Sequence, residues 1–155
     1  MPMNSIPLLR VLLQRVEAER DTALGVLRQV EAQAQQALAQ ARQLQDYRGE
    51  CDQRWLTRFQ TSGTTELLHC HRGFSQRLDQ AITMQDNSAS QLGQRTQRAR
   101  ETLMAREQRV AAVRKLIERR EAEHQLLASR RDQRNTDDAA QRAHSAARLR
   151  DISPH

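Results

Sequence analysis

Residues 9–55 read LRVLLQRVEAERDTALGVLRQVEAQAQQALAQARQLQDYRGECDQRW. At steps alternating between four and three, the stretch presents Leu9, Leu13, Val16, Arg20, Ala23, Leu27, Val30, Ala34, Ala37, Ala41, Leu44, Arg48, Cys51 and Trp55. Only the two arginines interrupt the apolar stripe. A seam recurring every ~3.5 residues is the pattern of a left-handed coiled coil. One helix cannot bury its own seam, so the rest of the chain or another copy has to supply a partner.

The composition favours long helices. Aromatic residues make up 3% of the 155, and Gly and Pro number five and three. No Pro lies between Pro7 and Pro154. Ala, Gln, Arg, Glu and Leu dominate, and strand-like runs of Val, Ile, Thr and aromatics are absent. The net charge of +6 is unevenly spread. Acids and bases cancel up to Glu66, and the excess beyond it is almost entirely arginine, Lys115 being the one lysine. Such a basic half suits acidic partners in protein, membrane or nucleic acid. The interspersed Glu and Asp favour a solvated helix face over nucleic acid. Cys51 and Cys70 make no disulfide framework. Residues 1–7 lack a signal pattern, and no apolar run approaches the ~18 residues of a membrane span. These features predict a cytosolic, reduced protein.

Ser5 is a candidate N-cap, and Pro7 fits a first helical turn. Helix one is predicted over about residues 5–59, which at 1.5 Å per residue is ~80 Å. Thr61 to Glu66, rich in Ser, Thr and Gly, is the one clear break and puts a tip at residues 60–64. Helix two follows over about residues 65–130. Its predicted seam is Leu67, His71, Phe74, Leu78, Ala81, Gln85, Ser88, Leu92, Thr96, Ala99, Leu103, Arg106, Val110, Val113, Ile117, Arg120, His124 and Leu127. Two successive steps of four, from Ser88 through Leu92 to Thr96, form a stutter. A bend or irregular packing is expected there.

Folding helix two back at Gly63 pairs residues whose numbers sum to 125 or 126. Leu27 then meets Ala99, Val16 meets Val110, Leu13 meets Val113 and Leu9 meets Ile117. Arg20 and Arg106 share a layer. A buried arginine pair is costly, so both are expected to leave the seam along their aliphatic stems and to pair with Glu17 or Glu107. The predicted fold is all-α, a single long two-helix antiparallel coiled-coil hairpin over residues 1–155 with the second helix longer. Residues 131–155 form a polar tail with few large apolar side chains, either an overhanging helix or a disordered segment that orders on a partner.

Little in the sequence carries catalytic chemistry. His69, Cys70 and His71, with Cys51 across the hairpin, invite a zinc reading. Adjacent helical residues point ~100° apart, and zinc ligands are usually spaced by two to four residues, so no metal site is expected. There is no Gly-rich phosphate loop, no HExxH and no nucleophile motif. The chain is expected to be no enzyme and to hold no cofactor. A ladder near the tip stands apart: Gln40 with Gln85, Leu44 with Ala81, Tyr47 with Leu78 and Cys51 with Phe74 all sum to 125. Gln40 and Tyr47 lie beside the seam, so the ladder reads either as packed core or as a groove opening beside the chain's only tyrosine.

Three stretches together resemble the FliJ family of flagellar export proteins, across nearly the whole chain. Leu44-Gln45-Asp46-Tyr47-Arg48 is similar to the family's Leu-x-x-Tyr stretch late in helix one. Phe74, Leu78, Ala81 and Ile82 match its Phe-x-x-x-Leu-x-x-Ala-Ile stretch early in helix two. Asp137-Asp138-x-Ala140-Gln141-Arg142-Ala143 resembles its acidic-then-Ala-Arg tail. The resemblance implies a non-enzymatic stalk of the type III export apparatus. Its end bearing both termini would sit in the hexameric export ATPase, here near Arg10, Arg15, Arg109 and Arg114. It would link that ring to the cytoplasmic linker of the membrane export gate and meet export chaperones, as a cytoplasmic protein peripheral to the inner membrane. Gate contact is implied for Gln40, Leu44, Tyr47, Phe74, Leu78 and Ala81. Cys51 stands where the family commonly has an aromatic, and Gln85 where it commonly has a histidine. Competing readings are the equivalent stalk of a virulence secretion system, a basic nucleic-acid-binding coiled coil, and a self-associating scaffold.

Overall fold

The computed structural model describes residues 5–152. Two α-helices, α1 (Ser5–Ser62) and α2 (Thr65–Ile152), pack against each other as a hairpin, and no strand occurs among the described residues. α1 begins at Ser5 itself, within the one- or two-residue latitude of helix ends, and runs three residues beyond the expected Phe59.

The connection is two residues long. Thr64 caps α2: its hydroxyl accepts the Leu67 N–H at 3.3 Å, and its carbonyl accepts the Leu68 N–H at 3.1 Å. This satisfies an amide of the first turn that has no partner inside the helix. Gly63 keeps the turn free of a tight contact. A Cβ there would stand 3.0 Å from the Phe59 carbonyl oxygen and 3.4 Å from the Phe59 ring.

The contacts define two units, one of α1 up to Ala18 with α2 from Gln108 onward, the other spanning Glu19–Glu107. In the second unit, Ala23, Leu27, Ala37 and Ala41 of α1 are buried. Arg20, Val30, Ala34, Leu44, Arg48, Cys51 and Trp55 are half-buried, so every predicted α1 seam position here is at least partly covered. On α2, Leu78 and Thr96 are buried. His71, Ser75, Ile82, Gln85, Ala89, Leu92, Ala99, Leu103 and Arg106 are half-buried.

This α2 seam corrects the expected one between His71 and Leu92. Ser75, Ile82 and Ala89 occupy it, whereas Phe74, Ala81 and Ser88 are exposed. From His71 to Arg106 the steps alternate four and three without a slip, so the expected stutter is absent. Asp86 to Gly93 is uninterrupted α-helix. Thr96 is the one buried polar residue among those described, and its hydroxyl donates to the Leu92 carbonyl at 2.9 Å. The arginine layer also resolves. Arg106 pairs with Glu19 at 3.3 Å and Arg20 with Asp21 at 3.0 Å, in place of the expected Glu17 and Glu107. Both guanidiniums leave the seam, as burial cost demands.

In the first unit, Val16, Val110, Val113 and Ile117 form a core cluster flanked by Leu9 and Leu13. The members predicted to share layers thus lie together. Full burial of such a side chain contributes about 1.5–3 kcal/mol. Beyond Arg120 every described residue of α2 is exposed. The helix nevertheless continues to Ile152, past the predicted end near residue 130. Residues 131–152 are therefore helix and not a disordered tail. A helix satisfies its backbone internally, and this segment is rich in the strong helix formers Ala, Arg and Gln. Residues 153–155 lie outside the described residues.

Candidate functional site

The predicted ladder falls within the Glu19–Glu107 unit, and its members separate by role. The Gln85 side-chain amide donates to Gln40 Oε1 at 3.0 Å and to the Ala37 carbonyl at 3.3 Å, closing the two helices over buried Ala37. Tyr47 meets Phe74 edge-on, with ring centroids 6.5 Å apart and planes at 75°. The two rings are 46% and 41% exposed, so they form a surface and not a core. Tyr47, expected opposite Leu78, meets the Phe74 ring. Leu78, 9% exposed, belongs to the seam beneath, whereas Ala81 lies exposed on the surface. Leu44 and Cys51 are half-buried.

Cys51 also governs the chemistry of Tyr47. The neighbouring Cys51 side chain, as a sulfur partner to the phenol and as a negative charge once it ionises, holds Tyr47 above its usual value of 10.0. Partial burial and Glu50 act in the same direction, and the Arg54 cation acts against them. The phenol therefore stays protonated and available as a donor throughout the physiological range.

Toward the tip, Trp55 stacks on His71 with centroids 4.3 Å apart and planes 8° from parallel. His71 Nε2 lies 3.4 Å from Ser75 Oγ and 4.0 Å from an Asp52 carboxylate oxygen. Sequence reasoning placed Trp55 and His71 in the seam; their numbers sum to 126, and the stack is that layer. Cys51 and Cys70 are free thiols. Among the described residues, no three of His, Cys, Asp and Glu are grouped to hold a metal ion.

One contact was not anticipated. Arg48, the second interruption of the α1 seam, bridges Asp79 of α2 and Asp52 one turn along α1. The signal was present in the sequence. Asp52 lies four residues ahead, at ion-pair spacing on a helix, and Asp79 lies nearly opposite in the register.

The arginines expected to dock an ATPase all belong to the other unit. Arg10 pairs with Glu121 at 3.1 Å and Arg114 with Glu17 at 3.0 Å. Arg15 and Arg109 are exposed. This unit holds thirteen Lys and Arg against eight Asp and Glu, whereas Glu19–Glu107 holds twelve against eleven. The overhang from Glu121 to Ile152 is balanced at six of each, so the excess lies in the paired segments around the four arginines. No helix among the described residues is long and apolar enough to cross a membrane.

Comparison with known proteins gives one match. Searches of curated proteins and of solved structures find none. The family described as flagellar FliJ protein matches residues 5–149, nearly the whole chain. The chain therefore belongs to the flagellar FliJ family, coiled-coil components of flagellar-type protein export.

Proposed function

We propose that this chain is the non-catalytic stalk of a flagellar type III export apparatus, coupling the hexameric export ATPase to the membrane export gate and escorting export chaperones. Family membership supports a role in flagellar-type export. The half-exposed Tyr47–Phe74 pair is the observation that carries the further assignment of a gate contact. Large side chains held at a surface by an edge contact lose little freedom on binding, which makes aromatic anchors efficient. Gln40, Leu44, Cys51, Ala81 and Gln85 surround or support that pair, and Leu78 holds the seam under it.

The basic excess around Arg10, Arg15, Arg109 and Arg114 supports docking of the other unit into the ATPase. Arg10 and Arg114 are already paired, so these charges act mainly on encounter rate and orientation. The protein works at the cytoplasmic side of the inner membrane, held there by its partners. The deciding experiment is a pull-down from native cytosol and membranes with the wild-type chain and Tyr47→Ala. Wild type brings down a hexameric ATPase and the gate's cytoplasmic part; the variant keeps the ATPase and loses the gate. Failure of wild type to retain either partner refutes the proposal.

A further inference from the structure

The overhang from Glu121 to Ile152 is helix without burial, every residue of it exposed. Its helical form therefore rests on local preferences alone, and those are uneven. Asn135, Thr136, Asp137 and Asp138 are four consecutive weak helix formers, because their short polar side chains compete for backbone hydrogen bonds. A similar run, Asp86 to Ser90, is helical in the Glu19–Glu107 unit with tertiary support: Ala89 is half-buried, and the adjoining Gln85 amide donates to the Ala37 carbonyl and to Gln40 of α1. Asn135 to Asp138, fully on the surface, has no burial to offset the same weakness.

These four residues also carry a helix-start signal. At the tip the chain breaks at Gly63, and the Thr64 hydroxyl accepts the Leu67 N–H at 3.3 Å, with Glu66 in the first turn of α2. Thr136-Asp137-Asp138-Ala139 repeats that order: a hydroxyl, acid in the turn after it, and an amide three residues on. Asn135 stands before it where the tip has Gly63, and Asn is the usual alternative to Gly just past a helix end. Arg134 precedes Asn135, a cation suited to a helix C-terminus. In the unbroken helix the Thr136 hydroxyl donates to the Asp132 carbonyl at 2.9 Å, a back-bond that weakens and bends helices. One hydroxyl thus has two uses: donor to Asp132 within one helix, or acceptor from the Ala139 N–H at the start of another.

We infer that Asn135 to Asp138 is a joint at which the overhang exchanges between one continuous helix and two, the second running from Asp137 to Ile152 with Thr136 as its cap. In the broken form Asp137 and Asp138 face the positive end of the new helix dipole. Asp138 keeps Arg142 at ion-pair spacing in both forms. The joint lets the terminal helix change direction while the Val16, Val110, Val113 and Ile117 cluster stays packed. Any partner of the terminal helix shifts the exchange by its difference in affinity for the two forms.

Hydrogen exchange of the full-length chain, resolved to single amides by NMR, tests the joint. The amides of Thr136 to Ala139 should exchange about tenfold faster than those of residues 126–130 and 142–146, so that protection dips at the joint and recovers beyond it. Fraying from Ile152 alone lowers protection steadily toward that end with no recovery past Ala140, and that profile would overturn the inference. Asn135→Ala with Thr136→Ala removes the cap and strengthens the continuous helix. Both positions are exposed, so the hairpin core is untouched, and the dip should vanish. A dip that survives the double variant overturns the inference. Direction is read separately, from spin labels at Ala128→Cys and Ala147→Cys in a chain carrying Cys51→Ser and Cys70→Ser. A continuous helix holds the two labelled backbones ~28 Å apart at 1.5 Å per residue. The joint adds a shorter population that the double variant loses, and one narrow distance in the chain that keeps Asn135 and Thr136 refutes a change of direction.

Discussion

Leu78 and Ala81 are three residues apart and both lie in the stretch proposed for gate contact, yet they should respond oppositely to substitution. Leu78 is 9% exposed in the seam, whereas Ala81 is exposed. Leu78→Ala removes three carbon groups from the seam, ~2.4 kcal/mol at ~0.8 kcal/mol per group. A two-helix seam can partly close over the loss, so the total should fall at the low end of the ~2–5 kcal/mol range for buried Leu→Ala. For a chain of this size, where 1 kcal/mol moves Tm by ~2–4 °C, that is a fall of roughly 5–10 °C. Ala81→Gln should change stability by under ~0.5 kcal/mol, as surface substitutions do. Were Ala81 in the seam, the new amide would be buried without partners, at a cost of ~1–3 kcal/mol. Thermal unfolding followed by circular dichroism at 222 nm separates the two cases. Gate binding should weaken with Ala81→Gln while Tm holds. A fall in Tm for Ala81→Gln matching that for Leu78→Ala would refute the Ser75–Leu78–Ile82 seam.

Tyr47→Ala should leave helicity and ATPase stimulation intact while impairing gate binding and flagellar export; equal loss of both partners would dissolve the separation of the two sites. Thr96→Val should stabilise the fold by ~0.5–1 kcal/mol, because a buried hydroxyl bonded only to its own helix gives way to a methyl and strands no partner, and a lower melting temperature would contradict that. Reversing charge at Arg10, Arg15, Arg109 and Arg114 together should weaken ATPase binding more at low than at high salt, so equal affinities at both salts would exclude electrostatic docking there. The single tyrosine should titrate above its usual value of 10.0, and Cys51→Ala should lower the midpoint, read by ultraviolet absorbance. The sign follows from linkage: the stabilisation from a raised phenol is present below its unfolded value and is lost as pH rises through the folded one. A midpoint unmoved by Cys51→Ala would remove the Cys51 side chain as the cause.

The α1 seam was legible because its apolar residues admit one phase from Leu9 to Trp55. α2 was legible only where large side chains fix the phase. Between His71 and Leu92 the seam is filled partly by Ser75, Gln85 and Ala89, which carry little hydrophobic signal, while the large Phe74 sits beside it. Giving Phe74 the seam forced the stutter at Ser88. Stepping back from Leu92 by three and four reaches Ala89, Gln85, Ile82, Leu78, Ser75 and His71, so strict periodicity held the answer that residue size obscured. The overhang was illegible for a different reason. Burial cannot report on a helix that buries nothing, and only its Ala, Arg and Gln content favoured the helix found there.

The same confusion of size with burial explains the reading of the site. In a hairpin of two helices no residue is far from solvent, and seam positions themselves stay partly open. Large aromatic residues consequently sit at the margin of the seam, one edge packed and the other wet, as Tyr47 and Phe74 do. The core is left to Ala23, Ala37, Ala41 and medium-sized aliphatics. A chain with so few aromatics that gathers its Tyr, its Trp and both Phe between Tyr47 and Phe74 has not spent them on a deep interior. Packing accounts for Leu78 and Ile82. It leaves the exposed edges of Tyr47 and Phe74 unexplained, which is the physical reason to seek a partner at this face.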